Sequence, residues 1–210
     1  MPGRLLLKAI FGSLVWNIQT KDPLLFLTFD DGPIPEVTPW VLDQLEAAHA
    51  KATFFCIGDN VRKHPEIYRA VLEKGHAVGN HTFHHLNGWK TTNEEYFADT
   101  EKCSRLVQSP LFRPPYGKIK PGQVSKLKSD YKIIMWDVLS KDYDQSLSGE
   151  ACLKRVIRNA GPGSILVFHD SLKAKDRLEF ALPKVLDYFH SRGYRFHSLS
   201  DDYFPPESEK

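Results

Sequence analysis

The chain has 210 residues and a mass of 24.0 kDa, with 41% hydrophobic and 26% charged residues. A single domain of this size buries roughly 70% of its unfolded surface, enough for a core without disulfides or structural metals. Its 28 basic and 26 acidic side chains leave a net charge of +2, which excludes a strong nucleic-acid footprint and an acidic disordered chain alike. Residues 1–22 read as a separate segment. Its apolar stretch is interrupted by Lys8, lacks a small-residue cleavage site and falls short of the roughly 20 residues of a membrane span. Leu6, Leu7, Ile10 and Leu14 recur at helical spacing, so a short helix packed on the domain is expected there, with a membrane-surface or uncleaved export segment as the other reading.

The domain proper is expected over 23–204. Residues 24–29 form a continuous apolar run, the mark of a strand buried on both faces. A helix follows over 36–49, with Val37, Val41, Leu45 and Ala48 on one face, Thr38 as its cap and Pro39 at its first position. Residues 52–57 form the second strand. A helix over 65–74 stops at Gly75, and 76–80 is a short strand. Helix 93–108 carries a Thr92/Glu95 capping box, and a short strand at 111–113 precedes a Pro-Pro turn. A helix over 121–129, a strand over 132–138, a helix over 149–159, a strand over 164–169, a helix over 177–191 and a strand over 194–199 complete the domain. The tail 205–210 is polar and is expected to be loose. Seven or so strands alternating with helices predict parallel βα units, either a barrel or an open doubly wound sheet. An eightfold barrel typically takes about 250 residues, so a full one is a squeeze.

In either architecture the working site lies at the carboxyl ends of the strands. The first strand runs into Asp30-Asp31-Gly32-Pro33, the third into His81-Thr82-Phe83-His84-His85 and the fourth into Arg113-Pro114-Pro115-Tyr116-Gly117. The fifth leads to Asp137 and Asp142, and the sixth to His169-Asp170. Adjacent carboxylates repel, and in a regular strand they would point to opposite faces; a break at Gly32-Pro33 turns both to one centre, where a cation makes the pair tolerable. His81 and His85 share a face if their segment is one helical turn, and His84 offers a competing pair with His81. Two imidazoles and the Asp31 carboxylate suit a borderline divalent metal such as zinc, with cobalt, nickel or manganese as alternatives. His169, ending an apolar strand, is a proton-transfer candidate. His49, His64, His76, His190 and His197 carry no assigned chemistry.

Thr28-Phe29-Asp30-Asp31-Gly32, His81-Thr82-x-x-His85, Arg113-x-Pro115-Tyr116-Gly117, Asp142-Tyr143 and His169-Asp170 occur in this order and resemble the five motifs of the polysaccharide deacetylases, carbohydrate esterase family 4. The resemblance covers residues 25–199. It implies a distorted (β/α)7 barrel, which relieves the length objection, and metal-dependent hydrolysis of N-acetyl or O-acetyl groups on a sugar oligomer or polymer. By motif match Asp31, His81 and His85 resemble the metal ligands and Asp30 the general base. His169 resembles the acid for the leaving amine. Arg113 resembles the residue that orients the base, Asp142 the carboxylate that pairs with the imidazole, and the Tyr116 N–H a donor to the oxyanion.

Three positions depart from the family pattern. Leu139 stands where an aspartate is usual, Tyr143 where tryptophan is usual and Val167 where leucine is usual. By the resemblance, these positions shape the acetyl pocket and its surroundings. Trp40 and Trp136, within a helix and a strand, are expected in the core, whereas Trp89 in the loop after the histidines is a platform candidate for a sugar ring. Two rival readings stand beside the deacetylase: a hydrolase of small linear amides on the same fold, and a carbohydrate-binding protein whose catalysis has lapsed. Retention of acid, base and their partners argues against the second. Three widely spaced cysteines without a C-x-x-C pair favour free thiols and a reducing compartment, and the lack of a clear signal peptide favours the cytoplasm over the cell envelope.

Overall fold

The computed structural model describes residues 14–204. The expected N-terminal helix falls largely outside them; within them the segment opens as a short strand, β1 (Leu14–Val15). The strands β2 (Leu24–Asp30), β3 (Ala52–Cys56), β4 (Ala77–Asn80), β5 (Leu111–Phe112), β6 (Lys132–Ile134), β7 (Val138–Leu139), β8 (Ile165–His169) and β9 (Arg195–Phe196) follow. All pair in parallel in the order β1-β6-β5-β4-β3-β2-β8-β7, with β9 on the first residues of β2. The helices are α1 (Thr38–Ala47), α2 (Gly58–Lys63), α3 (Pro65–Glu73), α4 (Asn93–Ser104), α5 (Pro121–Leu127), α6 (Gly149–Asn159) and α7 (Lys175–His190).

The sheet curls into a distorted α/β barrel, as the resemblance implies. The strand expected over 132–138 is broken in two, because Arg113 draws the carbonyls at the break to itself: Nε donates to Ile134 O at 3.3 Å and Nη2 to Met135 O at 2.9 Å. Below the break the strand pairs with β5; above it the chain crosses to β8. The segment after β1 also reaches β8, through a bridge between Asn17 and Ser164 and an Ile18 N–H bond to Gly163 O at 2.8 Å. The two ends of the sheet are thereby joined.

Period-two alternation along β2 divides the core. Leu25, Leu27 and Phe29 face outward and pack with Phe54, Leu166 and Phe168, under residues of α1 and α7. Leu24 and Phe26 join the inner cluster with Phe55, Ile134 and Ile165. Thr28 and Asp30 continue this inner row, which carries polar groups to the carboxyl end of the barrel. Trp40 and Trp136 are part-buried against these clusters, as expected.

Helix α2 was not anticipated; it is short and buries only Gly58 and Val61, so it shows no apolar period. Thr38 does not cap α1. Val37 stands at the cap position, and the Thr38 hydroxyl instead accepts the Ile34 N–H at 2.8 Å and donates to Asp170 Oδ2 at 2.6 Å. The Thr92/Glu95 capping box is present at α4. The last strand shrinks to Arg195–Phe196. Cys56, Cys103 and Cys152 are buried free thiols. Among the described residues no helix is long and apolar enough to cross a membrane.

Candidate active site

Asp30 is the last residue of β2, on the inner row, in register with His169 at the end of β8. Arg113, just past β5, lies fully buried with its guanidinium 4.1 Å from the Phe55 ring. Its Nη1 donates to Asp30 Oδ1 at 2.7 Å and to Thr28 Oγ1 at 2.6 Å. Burial alone would raise the Asp30 pKa, but the charge and hydrogen bond of Arg113, with His81 and His169 nearby, bring it below the ordinary carboxylate value. Asp30 is therefore an ionised, water-poor acceptor.

Asp31 solves the adjacent-carboxylate problem with its own backbone. At φ +86° it leaves the strand geometry, one residue before the Gly32-Pro33 break named from sequence. The turn is held by Asn60 Nδ2 on Asp31 O at 2.7 Å and by the Gly32 N–H on Asp170 Oδ1 at 3.0 Å. Gly32 is required there, because a Cβ would come within 1.9 Å of Asp170 Oδ2.

The His81–Leu86 segment is not a helical turn. Thr82 and His85 both adopt left-handed φ, +60° and +57°. The turn is fastened by hydrogen bonds: Thr82 N–H to Asn80 Oδ1, Leu86 N–H to Thr82 Oγ1, and the N–H groups of Phe83 and His84 to Asp99 Oδ2. His81 Nδ1 lies 2.7 Å from Arg113 O; a carbonyl only accepts, so Nδ1 carries the proton and Nε2 is left as a lone pair. That Nε2 lies 3.9 Å from Asp31 Oδ1, and His85 Nε2 lies 3.3 Å from the same oxygen. One donor atom from each of Asp31, His81 and His85 falls within 4.8 Å of the others, and among the described residues this is the cluster that could hold a metal. Burial drives the His81 pKa down to about 4 and lowers that of His85, so both imidazoles are neutral near pH 7, the form a metal binds. Two nitrogens and one carboxylate oxygen, with His81 oriented by a backbone carbonyl, fit a zinc-like divalent ion. His84 leaves the group and turns its Nδ1 to Asp99 Oδ1.

Across the sheet, the fully buried Asp142 uses both oxygens on one residue. Oδ1 meets His169 Nδ1 at 2.7 Å and Oδ2 accepts the His169 backbone N–H at 2.8 Å. Burial pulls the imidazole pKa down, but Asp142, with Asp31 and Asp30 beyond, overrides it and raises the pKa to about 9. Tyr116, at φ +61°, stands 60% exposed, with its hydroxyl 3.1 Å from His85 Nδ1. The eight residues named from sequence thus converge: Asp31, His81 and His85 cluster, Asp30 pairs with Arg113, His169 with Asp142, and Tyr116 leans on His85. The bracing roles of Asp99, Asp170, Asn80 and Thr38 were missed, although Asp170 stood in a named motif and Thr38 was read as a helix cap; a carboxylate within a helix or beside a named histidine carries no mark of its partner. Leu139 and Val167, two of the departures from the family pattern, are cross-strand partners. A hollow of about 490 Å³ lined by Leu86, Lys90, Thr91, Glu95, Ala98, Asp99 and Lys102 includes none of the eight residues in its wall.

Comparisons with known proteins identify the family. The pattern of the polysaccharide deacetylase family matches residues 17–131. The peptidoglycan-N-acetylglucosamine deacetylase of Bacillus cereus is 34% identical over 197 residues, covering 90% of this chain and 92% of its own. The chitooligosaccharide deacetylase of Azorhizobium caulinodans is 35% identical over 162 residues, covering 73% and 77%. The crystal structure of the Bc1960 peptidoglycan N-acetylglucosamine deacetylase superposes with a TM-score of 0.84 at 29% identity, covering 97% and 98%. The chain belongs to the polysaccharide deacetylase family, enzymes that hydrolyse carbon–nitrogen bonds other than peptide bonds.

Proposed function

We propose that this enzyme removes acetyl groups from N-acetylated hexosamines of a wall or chitin-type glycan, releasing acetate, with Asp30 as base and His169 as acid. The observation that carries the reading is the opposed environment of these two groups: Arg113 holds Asp30 ionised, Asp142 holds His169 protonated, and both flank Asp31, His81 and His85. A divalent cation, zinc by the chemistry of its donors, would be held by those three side chains and would supply Lewis acidity to the acetyl oxygen and the attacking water. Asp30 accepts the proton of that water while Arg113 fixes the receiving carboxylate. The Tyr116 N–H donates to the oxyanion. His169 delivers its Nε2 proton to the leaving nitrogen, and Asp142 stabilises the imidazolium until then. Resemblance to peptidoglycan and chitooligosaccharide deacetylases supports the substrate class. A wall substrate argues for the envelope against the reducing compartment favoured by the cysteine count, since buried thiols stay free in either place.

The test is acetate release from N-acetylglucosamine oligomers, peptidoglycan and acetylated xylan, in zinc-loaded and metal-stripped protein. Asp30→Asn should lose at least about 100-fold in kcat. Full activity in that variant, or after metal removal, would overturn the mechanism. Turnover of small linear amides without release from any sugar would favour the first rival. Tight sugar binding without turnover would favour the lapsed binder.

A further inference from the structure

We infer that Trp89 is a stacking platform for a sugar ring beyond the one that reacts, so that the enzyme reads an oligomer rather than a single acetylated hexosamine. The inference rests on the deacetylase reading and adds a second binding position to it. Trp89 and Tyr116 are the most exposed aromatic side chains among the described residues, each at 60%. Both lie in the two loops that carry the site: Trp89 four residues after His85, and Tyr116 three residues after Arg113.

This indole is also pinned. Its Nε1–H donates to Ile119 O at 3.1 Å, and its backbone N–H donates to Asn87 Oδ1 at 3.0 Å. The support beneath it is braced between the two loops. The buried Gln123 side chain donates to Gly88 O at 3.1 Å and accepts the Lys120 N–H at 2.9 Å, and Lys120 Nζ reaches Thr91 O at 2.7 Å. A Cβ at Gly88 would lie 2.5 Å from Lys118 O, so the loops touch through a position that only glycine fills. A ring held this way loses little freedom on binding, as a preorganised subsite requires.

Chemistry selects the occupant. Lys118 Nζ stands 4.4 Å from the ring centroid, and Asn87 and Lys90 flank Trp89 in the same polar loop. A lone aromatic in a polar frame suits a ligand with an apolar face and a polar edge, and a pyranose offers its C–H face to the indole and its hydroxyl, N-acetyl or carboxylate substituents to the ammonium.

The experiment compares zinc-loaded wild type, Trp89→Ala and Trp89→Phe on N-acetylglucosamine oligomers from the dimer to the hexamer. Wild-type kcat/KM should rise with length. Trp89→Ala should flatten that rise, mostly through a KM increase of about three- to tenfold on the longest oligomer, and Trp89→Phe should restore most of it. Indole fluorescence of zinc-loaded Asp30→Asn, titrated with the hexamer, should change, and the change should vanish when Trp89→Phe is added. Deacetylation with the same KM for wild type and Trp89→Ala at every length would overturn the inference, as would a fluorescence response that survives loss of Trp89. Absence of acetate release from every sugar by wild type would sink the deacetylase reading instead, and the fluorescence titration would still decide the platform.

Discussion

Asp142 shows what one buried carboxylate can do when both its oxygens serve the same neighbour. It fixes the His169 backbone, fixes the ring through Nδ1, and raises the imidazole pKa to about 9. The sign of the resulting pH dependence follows. In the proposed mechanism the protonated imidazole is the working form, so kcat/KM should hold below the raised pKa and fall as pH climbs through about 9. In Asp142→Asn the charge that raises it is gone while an amide oxygen remains to accept a hydrogen bond. The alkaline limb of the pH–rate profile should then move down by about 1–3 units. A limb that stays in place would remove His169 as the acid or Asp142 as its positioning residue. The eight positions proposed to react or to hold the metal were legible because they follow strand ends and the resemblance assigned each a role. Asp170 was legible only as the residue after His169. Its carboxyl is buried against Gly32 N–H and the Thr38 hydroxyl, and that burial raises its pKa to about 8, but these are contacts across more than 130 residues that no local pattern encodes.

The histidine turn illustrates the same limit for an element. Spacing of four suggested one helical turn, and the two histidines do converge, but through left-handed residues at Thr82 and His85. What holds that shape is Asp99 on α4, whose Oδ2 takes two successive N–H groups and whose Oδ1 meets His84. Within α4 an aspartate reads as a solvated surface residue, so its function was invisible before the turn and the helix were seen together. Asp99→Ala should leave the proposed ligands intact and loosen their frame. Zinc affinity, measured by competition with a chromogenic chelator, should fall roughly 10- to 100-fold, and stability should drop by about 1–3 kcal/mol from the unpaired N–H groups. Asp99→Asn, which keeps an acceptor, should fall between. Unchanged affinity in Asp99→Ala would show that the turn holds itself. The broken strand over 132–138 has a parallel cause: its sequence is apolar throughout, and the break is imposed by Arg113, far away in the chain, claiming two of its carbonyls.

At the scale of the molecule, alternation of strands and helices was legible and strand order was not. Two-residue strands such as β1, β5, β7 and β9 carry too few side chains to show a period, even though Leu14, Phe112, Val138 and Phe196 pack into the core. The same order sets a thermodynamic consequence. Asp31 leaves β2, whereas His81 and His85 follow β4, and β3 lies between these strands. An ion held by all three would clamp non-adjacent strand ends that otherwise meet only through side chains, and it binds the folded chain but has no such site in the unfolded one. Folded stability should therefore rise with zinc by RT ln(1 + [Zn]/Kd), about 2.7 kcal/mol at 100 times Kd. For a domain of this length that corresponds to a Tm increase of roughly 6 °C. Scanning calorimetry of metal-stripped protein with increasing zinc should show this rise, and Asp31→Ala should flatten it. A zinc concentration that restores activity without moving Tm would mean that the ion which supports the reaction is not clamped between these strands.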